Sequence, residues 1–174
     1  WDCGCNTGKF SEISAKNSGY VIGFDSDPYC VEYFYKRFAH SPNKNILPLV
    51  LDFNNPSPAI GWANQERKEI SKRGKADLIL ALALIHHLRI ANNVPFNYVA
   101  QLFKNWLCSD GCLIIEFIEK EDSQVQRLLS SRKDIFTDYN FQGFFSSFSD
   151  CFDLKEKIQL PESKRILCLM KAKK

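Results

Sequence analysis

The chain has 174 residues with a formal charge of +3, and 45% of them are hydrophobic and 25% charged. These proportions are typical of a globular domain and argue against a disordered, collagen-like or coiled-coil chain. The longest unbroken apolar run, Leu78 to Ile85, is too short to cross a bilayer, which takes about 20 residues. No secretory leader is visible, and the small net charge gives no reason to expect nucleic-acid binding. We therefore expect a cytoplasmic protein whose partners include neither a membrane nor a nucleic acid.

Short apolar segments alternate along the chain with segments of helical periodicity. The predicted strands are residues 1–3, 20–24, 46–51, 76–83 and 112–118, followed by a final pair at 152–159 and 165–171. The predicted helices are residues 9–17, 27–40 and 58–73, one that begins at Pro95, and two more around 125–129 and 141–148. Segment 58–73 is rich in Glu, Arg and Lys, so we expect a solvated helix there.

The order of these elements indicates the fold class. Strands joined by helices are expected to run parallel, and the final two strands, separated by a short turn, should pair antiparallel. The first helix should turn Phe10 and Ile13 inward, and Asp27 followed by Pro28 is a capped start for the second helix. The sequence thus predicts an α/β fold, a Rossmann-like doubly wound sheet, in a single domain over residues 1–174.

The opening residues read as the last step of a strand with nothing before it. Trp1, Asp2 and Cys3 run directly into a glycine loop, so we expect the chain to be a fragment that lacks upstream sequence, with its first strand truncated.

Seven cysteines are scattered through the chain without a Cys-x-x-Cys pair, which favours reduced, mostly buried thiols in a reducing compartment. The alternative is a zinc site that uses Cys3 and Cys5 with His86 or His87. Structural zinc sites usually have paired ligands at gaps of about two to four residues, so we expect no metal.

The loop after the first strand, from Asp2 to Gly8, is a candidate ligand site, because open α/β sheets bind ligands beyond the carboxyl ends of their strands. Gly4 and Gly8 permit positive φ, and Asn6 is the residue that best tolerates the left-handed region without being glycine. The loop does not match G-x-G-x-x-G, which disfavours a nicotinamide oxidoreductase.

Three acidic residues follow the first three strands. Asp2 suits a ligand with a cationic part, Asp25 can accept both hydroxyls of a ribose, and Asp52 can accept from an exocyclic amine such as that of adenine. A cationic adenosine compound without phosphates is the ligand that fits best.

The motifs Asp-Cys-Gly-Cys-Asn-Thr-Gly, Phe24-Asp25 and Leu51-Asp52-Phe53 resemble the first three motifs of the class I S-adenosylmethionine-dependent methyltransferases. The resemblance implies S-adenosyl-L-methionine as the cofactor, and a seven-stranded, mostly parallel sheet with an antiparallel C-terminal strand. In that family the first acid and the loop hold the methionine part, the second acid holds the ribose, and the third acid with the following backbone holds adenine. The cofactor-binding residues implied here are Asp2, Gly4, Asn6, Gly8, Asp25, Asp52 and Phe53.

Residues 52–67, 82–88 and 120–126 are similar to a bacterial subfamily often labelled nodulation-protein-like methyltransferases. Proteins of that subfamily tend to carry extra sequence before this domain. The label defines no substrate, so we expect a small-molecule acceptor whose identity the sequence leaves open, as it does the oligomeric state.

Three residues are candidates for catalysis. His86 and His87 follow the fourth strand, and one of them could take a proton from the acceptor while the other packs or orients backbone; the sequence does not choose between them. Glu116 ends the fifth strand and could line the acceptor pocket. The alternative to an active methyltransferase is a catalytically inactive module of a larger protein that still binds the cofactor.

Overall fold

The computed structural model describes residues 1–41 and 45–174, whose strands have the order β3-β2-β1-β4-β5-β7-β6 in a seven-stranded sheet. The strands are β1 (Asp2–Cys3), β2 (Val21–Asp25), β3 (Ile46–Val50), β4 (Ala76–Ala81), β5 (Leu107–Ile118), β6 (Phe152–Gln159) and β7 (Arg165–Ala172). The α-helices are α1 (Lys9–Ala15), α2 (Pro28–Ala39), α3 (Phe96–Trp106), α4 (Ser123–Leu129) and α5 (Phe141–Ser149).

The strand directions agree with the sequence prediction. β2 runs parallel to β1 and β3, β5 runs parallel to β4, and β7 pairs antiparallel with both β5 and β6. The predicted mostly parallel α/β sheet with an antiparallel C-terminal strand is confirmed. β1 has 2 residues, which agrees with the expected short first strand.

The described residues divide into two compact units, Trp1–Arg73 and Gly74–Lys174. In the first unit, α2 begins as predicted, because the Asp27 side chain accepts the backbone N–H of Tyr29 at 2.9 Å and Pro28 takes the first helical position. Its apolar face buries Val31 and Phe34. The expectation of a single domain over residues 1–174 stays a prediction.

The predicted inward face of α1 is wrong. Phe10 and Ile13 are 47% and 50% exposed, and the residue that α1 buries is Ser11. Ser11 faces inward because its hydroxyl donates a hydrogen bond to the buried carboxylate of Asp2 at 2.6 Å. A buried carboxylate needs a hydrogen-bond donor, and this need fixes which side of the short helix faces inward.

The predicted helix over residues 58–73 is also wrong. Ile60 and Arg67 form an antiparallel bridge, with backbone hydrogen bonds of 3.0 and 3.1 Å, and the only helical pieces described there are short 3₁₀ turns at Trp62–Asn64 and Ile70–Lys72. Gly61 has φ of 85°, and Ala63 also has positive φ, which a right-handed helix does not allow. Charged composition alone therefore misled the prediction.

The second unit is built around an aromatic core. Phe144 and Phe148 on α5 are fully buried, with ring centroids 4.5 Å apart, and Phe144 stacks on Phe117 of β5 at 5.1 Å. The phenylalanines of α5 thus form a packing surface against β5. No helix among residues 1–41 and 45–174 is long and apolar enough to cross a membrane.

Candidate cofactor-binding and catalytic residues

The loop after β1 has an alternating backbone conformation. Gly4, Asn6 and Gly8 have φ of 80°, 48° and 84°, so the predicted left-handed conformation of Asn6 is confirmed. The N–H groups of Gly4 and Cys5 both donate to the carbonyl oxygen of Phe24, at 2.8 and 2.9 Å. These bonds fasten the start of the loop to β2.

The carboxylate of Asp25 holds the loop from the end of β2. One oxygen accepts the backbone N–H of Asn6 at 2.7 Å, and the other accepts the backbone N–H of Asp27 at 2.9 Å. Each carboxylate oxygen has a second lone pair, so Asp25 can accept further hydrogen bonds from a ligand. The structure thus brings Asp25 and Asn6, two of the predicted cofactor residues, into direct contact.

Gly8 closes the loop against α2. A Cβ atom at Gly8 would lie 2.2 Å from the ring of Phe34, and φ there is +84°, so both space and conformation require glycine. Arg37 of α2 donates to the carbonyl of Thr7 at 2.8 Å and pairs with Glu12 at 2.6 Å. The second half of the loop is therefore held by side chains of α2.

Asp2 is the buried acid at the base of the loop. It is 2% exposed, and one carboxylate oxygen accepts the Ser11 hydroxyl at 2.6 Å. Burial raises the pKa of Asp2, although the hydrogen bond from Ser11 lowers it, and repulsion from Asp25 adds a smaller upward contribution. A desolvated carboxylate of this kind is stabilised by a neighbouring cation.

The two residues after β3 differ in burial. Asp52 is exposed, and its Oδ1 accepts both the backbone and the side-chain N–H of Asn54, at 2.8 and 3.0 Å. Phe53 is buried, with its ring centroid 6.5 Å from that of Phe24. The amide of Leu51 donates to the carbonyl of Asp25 at 2.8 Å, so the ends of β2 and β3 lie side by side.

In the second unit, Glu116 is bound to the turn that follows β4. Its Oε2 accepts the backbone N–H of Ala83 at 2.7 Å, and its Oε1 lies 3.5 Å from the guanidinium of Arg165. Arg165 also pairs with Asp122 at 3.2 Å, and Asp122 caps α4 by accepting the amide of Gln124 at 2.8 Å. The carboxylate predicted as catalytic is therefore engaged in contacts within the protein.

His86 and His87 are adjacent but have opposite environments. Their ring centroids lie 4.2 Å apart; His86 is 2% exposed, whereas His87 is exposed. Burial lowers the pKa of His86 to about 3, with smaller contributions from the charges of His87 and Arg165. The Nδ1 of His86 has no hydrogen-bond partner within the described part of the chain. His86 is therefore neutral near pH 7, and of these two histidines only His87 has an exposed imidazole.

Among sequences, no family model matches the chain. It is 45% identical over 167 residues to the nodulation protein NoeA of Rhizobium meliloti (strain 1021), an alignment that covers 95% of this chain and 34% of that protein. The chain thus spans about a third of the length of this curated relative.

Among solved structures, the N-methyltransferase NodS from Bradyrhizobium japonicum in complex with S-adenosyl-L-homocysteine has a TM-score of 0.70 at 14% identity, over 99% of this chain and 76% of that one. A TehB-like S-adenosylmethionine-dependent methyltransferase from Corynebacterium glutamicum gives 0.66 at 15% identity, over 99% and 78%. The chain has the fold of S-adenosylmethionine-dependent methyltransferases. Both predicted resemblances, to this methyltransferase fold and to a nodulation protein, are confirmed.

Two side chains that support the loop after β1 were not predicted from the sequence. Helical periodicity favours the apolar neighbours of Ser11, so it does not predict that Ser11 faces inward. The available signal was a hydroxyl donor in the helix that directly follows the loop of Asp2. Arg37 lies 30 residues from Thr7 in the sequence, and nothing local to α2 indicates that it reaches the loop.

The described residues contain no group of three or more His, Cys, Asp or Glu side chains that could hold a metal ion. The seven cysteines are free thiols. Burial is the main cause that raises the pKa of both Cys3 and Cys5, which keeps these thiols protonated and unreactive.

Proposed function

We propose that this chain binds S-adenosyl-L-methionine and transfers its methyl group to a small-molecule acceptor. The observation that carries the proposal is the Asp25 carboxylate, which accepts the Asn6 amide of the left-handed loop at 2.7 Å and keeps lone pairs for a ligand. The methyltransferase fold and the solved NodS complex with S-adenosyl-L-homocysteine support it.

The first unit offers a distinct group for each part of the cofactor. Asp25 would accept the ribose hydroxyls, and Asp2 with the loop of Gly4, Asn6 and Gly8 would hold the methionine part. A bound cation there would offset the cost of burying the Asp2 carboxylate. Asp52 and the backbone of Phe53 would hold the adenine. When bound, the cofactor would supply a methyl group carried on a sulfonium sulfur. The sulfur would leave as a neutral thioether once the methyl group has passed to the acceptor.

We assign the removal of the acceptor's proton to His87. An efficient general base has a pKa near the working pH, and the depressed pKa of His86, about 3, makes that imidazole too weak a base near neutrality. The carboxylate of Glu116 is engaged with Ala83 and Arg165, so we do not assign it to proton transfer. Positioning of the two reactants would supply most of the remaining rate enhancement.

The proposal is tested with cofactor labelled in its methyl group and a fractionated bacterial cell extract. Label should pass to a small molecule in at least one fraction. His87→Ala should bind S-adenosylhomocysteine like the unmodified chain but slow the transfer about 100-fold, the usual scale of general-base catalysis. A chain that binds S-adenosylhomocysteine and labels no fraction would instead be an inactive cofactor-binding module.

A further inference from the structure

The turn between β4 and the π-helical turn His87–Ala91 contains several unfavourable local features. Ala83 has φ of 49°, which a residue with a side chain rarely adopts. His86 is 2% exposed and has an Nδ1 atom without a hydrogen-bond partner among the described residues. A π-helical turn follows at once. Strained backbone and π-helical turns concentrate at functional sites and persist only where surrounding contacts hold them in place.

Glu116 supplies such a contact. It belongs to β5, a 12-residue strand, and pairs there with Leu167 of β7, one residue beyond the last residue of β5 that pairs with β4. Its carboxylate reaches the amide of Ala83, the left-handed residue itself, at 2.7 Å. A charged acceptor makes a stronger hydrogen bond to an N–H group than a neutral one does.

The carboxylate of Glu116 is itself held in place. The residue is 6% exposed, and a buried charge without a partner is costly. Arg165 from β7 provides the opposite charge at 3.5 Å and extends to Asp122 at the start of α4. The turn after β4 is thus connected through Glu116 to two other elements of the same unit.

We propose that Glu116 is a positioning residue, which fixes the turn carrying His86 and His87 by accepting the Ala83 N–H group. This role rests on the proposed function, in which His87 of the same turn removes the acceptor's proton. The role differs from direct catalysis: Glu116 acts through the backbone and exchanges no proton with the acceptor.

The contact is tested by NMR hydrogen exchange of the Ala83 amide in the full chain and in two variants of similar side-chain length. Glu116→Gln keeps an oxygen acceptor, and Glu116→Met removes it. We expect Ala83 to exchange at least about tenfold faster in Glu116→Met and to stay within about threefold of the unmodified chain in Glu116→Gln. The Ile60 amide, whose bond to Arg67 lies in the other unit, is the internal control and should not change. Unchanged exchange of Ala83 in Glu116→Met overturns the proposal.

A second measurement needs no substitution. A scalar coupling across the hydrogen bond, from the Ala83 amide nitrogen to the Glu116 carboxylate carbon, should be detectable in the isotope-labelled chain. Its absence, while the couplings of the β4–β5 ladder are seen, overturns the proposal even if Glu116→Met does not fold.

Methyl-label transfer separates this role from the alternatives. Glu116→Met should lower the maximal rate at unchanged affinity for S-adenosylhomocysteine, and Glu116→Gln should restore most of it. Equal losses in both variants, without faster Ala83 exchange, would show that Glu116 acts directly on the acceptor and would overturn positioning. If the unmodified chain transfers no label while the exchange result holds, the proposed function fails and the positioning of the turn stands.

Discussion

At Asp2, a buried charge costs stability in the free chain, whereas the proposed cofactor role requires that charge. Its raised pKa means that the folded chain disfavours the ionised carboxylate. Between the ordinary pKa of Asp and the raised one, the folded state holds more protons than the unfolded state. Stability therefore falls as pH rises through that window and stays lowered at neutral pH. A cationic ligand bound beside Asp2 would offset this loss of stability.

Asp2→Asn should stabilise the free chain and weaken cofactor binding. Asparagine keeps an oxygen that can accept the Ser11 hydroxyl, but it carries no buried charge. We expect Tm at pH 7 to rise by about 2–4 °C, the effect of roughly 1 kcal/mol in a chain of this size, and affinity for S-adenosylhomocysteine to fall at least about tenfold. Thermal unfolding and calorimetry measure the two effects. Glu32→Gln, on the exposed side of α2, should change neither. A lower Tm for Asp2→Asn would contradict the assignment.

Single residues could be predicted from sequence where local chemistry decides. The left-handed Asn6 and the Asp27 cap follow from intrinsic preferences of Asn and Asp. The difference in burial between His86 and His87 could not be predicted, because the turn that carries them makes contacts distant in sequence, such as the bond from the Ala83 amide to a carboxylate 33 residues further along the chain.

At the scale of elements, the loop after β1 depends on its packing against α2. A side chain at Gly8 would collide with Phe34, and Gly8 already has φ of +84°. Arg37, from the same helix, secures the Thr7 carbonyl. The conformation of the loop is therefore set by α2 as much as by its own glycines.

Gly8→Ala should destabilise the chain by about 2–5 kcal/mol, the sum of a left-handed alanine and an overpacked contact. Urea unfolding measures this loss. Gly19→Ala is the matched control, because an added Cβ there meets no atom within 4 Å, and it should change stability by less than about 0.5 kcal/mol. Equal effects of the two substitutions would show that Phe34 does not constrain the loop.

Elements were predictable where burial produced a clear pattern. The apolar run that contains β4 and the alternating run of β7 appear in the sequence directly. The bridged segment between Ile60 and Arg67 does not, because its charged residues suit a solvated helix equally well. Positive φ at Gly61 and Ala63 is what excludes a regular helix there.

At the scale of the molecule, the alternation of strands and helices predicted a mostly parallel sheet, and two consecutive strands predicted its antiparallel end. The order of the strands was not predictable from the sequence, because it is set by long-range pairings that no local pattern records.

The most direct test of the central claim, that the loop anchored by Asp25 binds the methyl donor, is calorimetric titration with S-adenosylhomocysteine and, separately, with NAD. We predict one S-adenosylhomocysteine bound per chain and no binding of NAD. Asp25→Ala should weaken the affinity at least about tenfold because it removes a charge-assisted contact, while Ala at the exposed Asp110 should leave it unchanged. Absence of S-adenosylhomocysteine binding, preference for NAD, or equal affinities of the unmodified chain and Asp25→Ala would contradict the account.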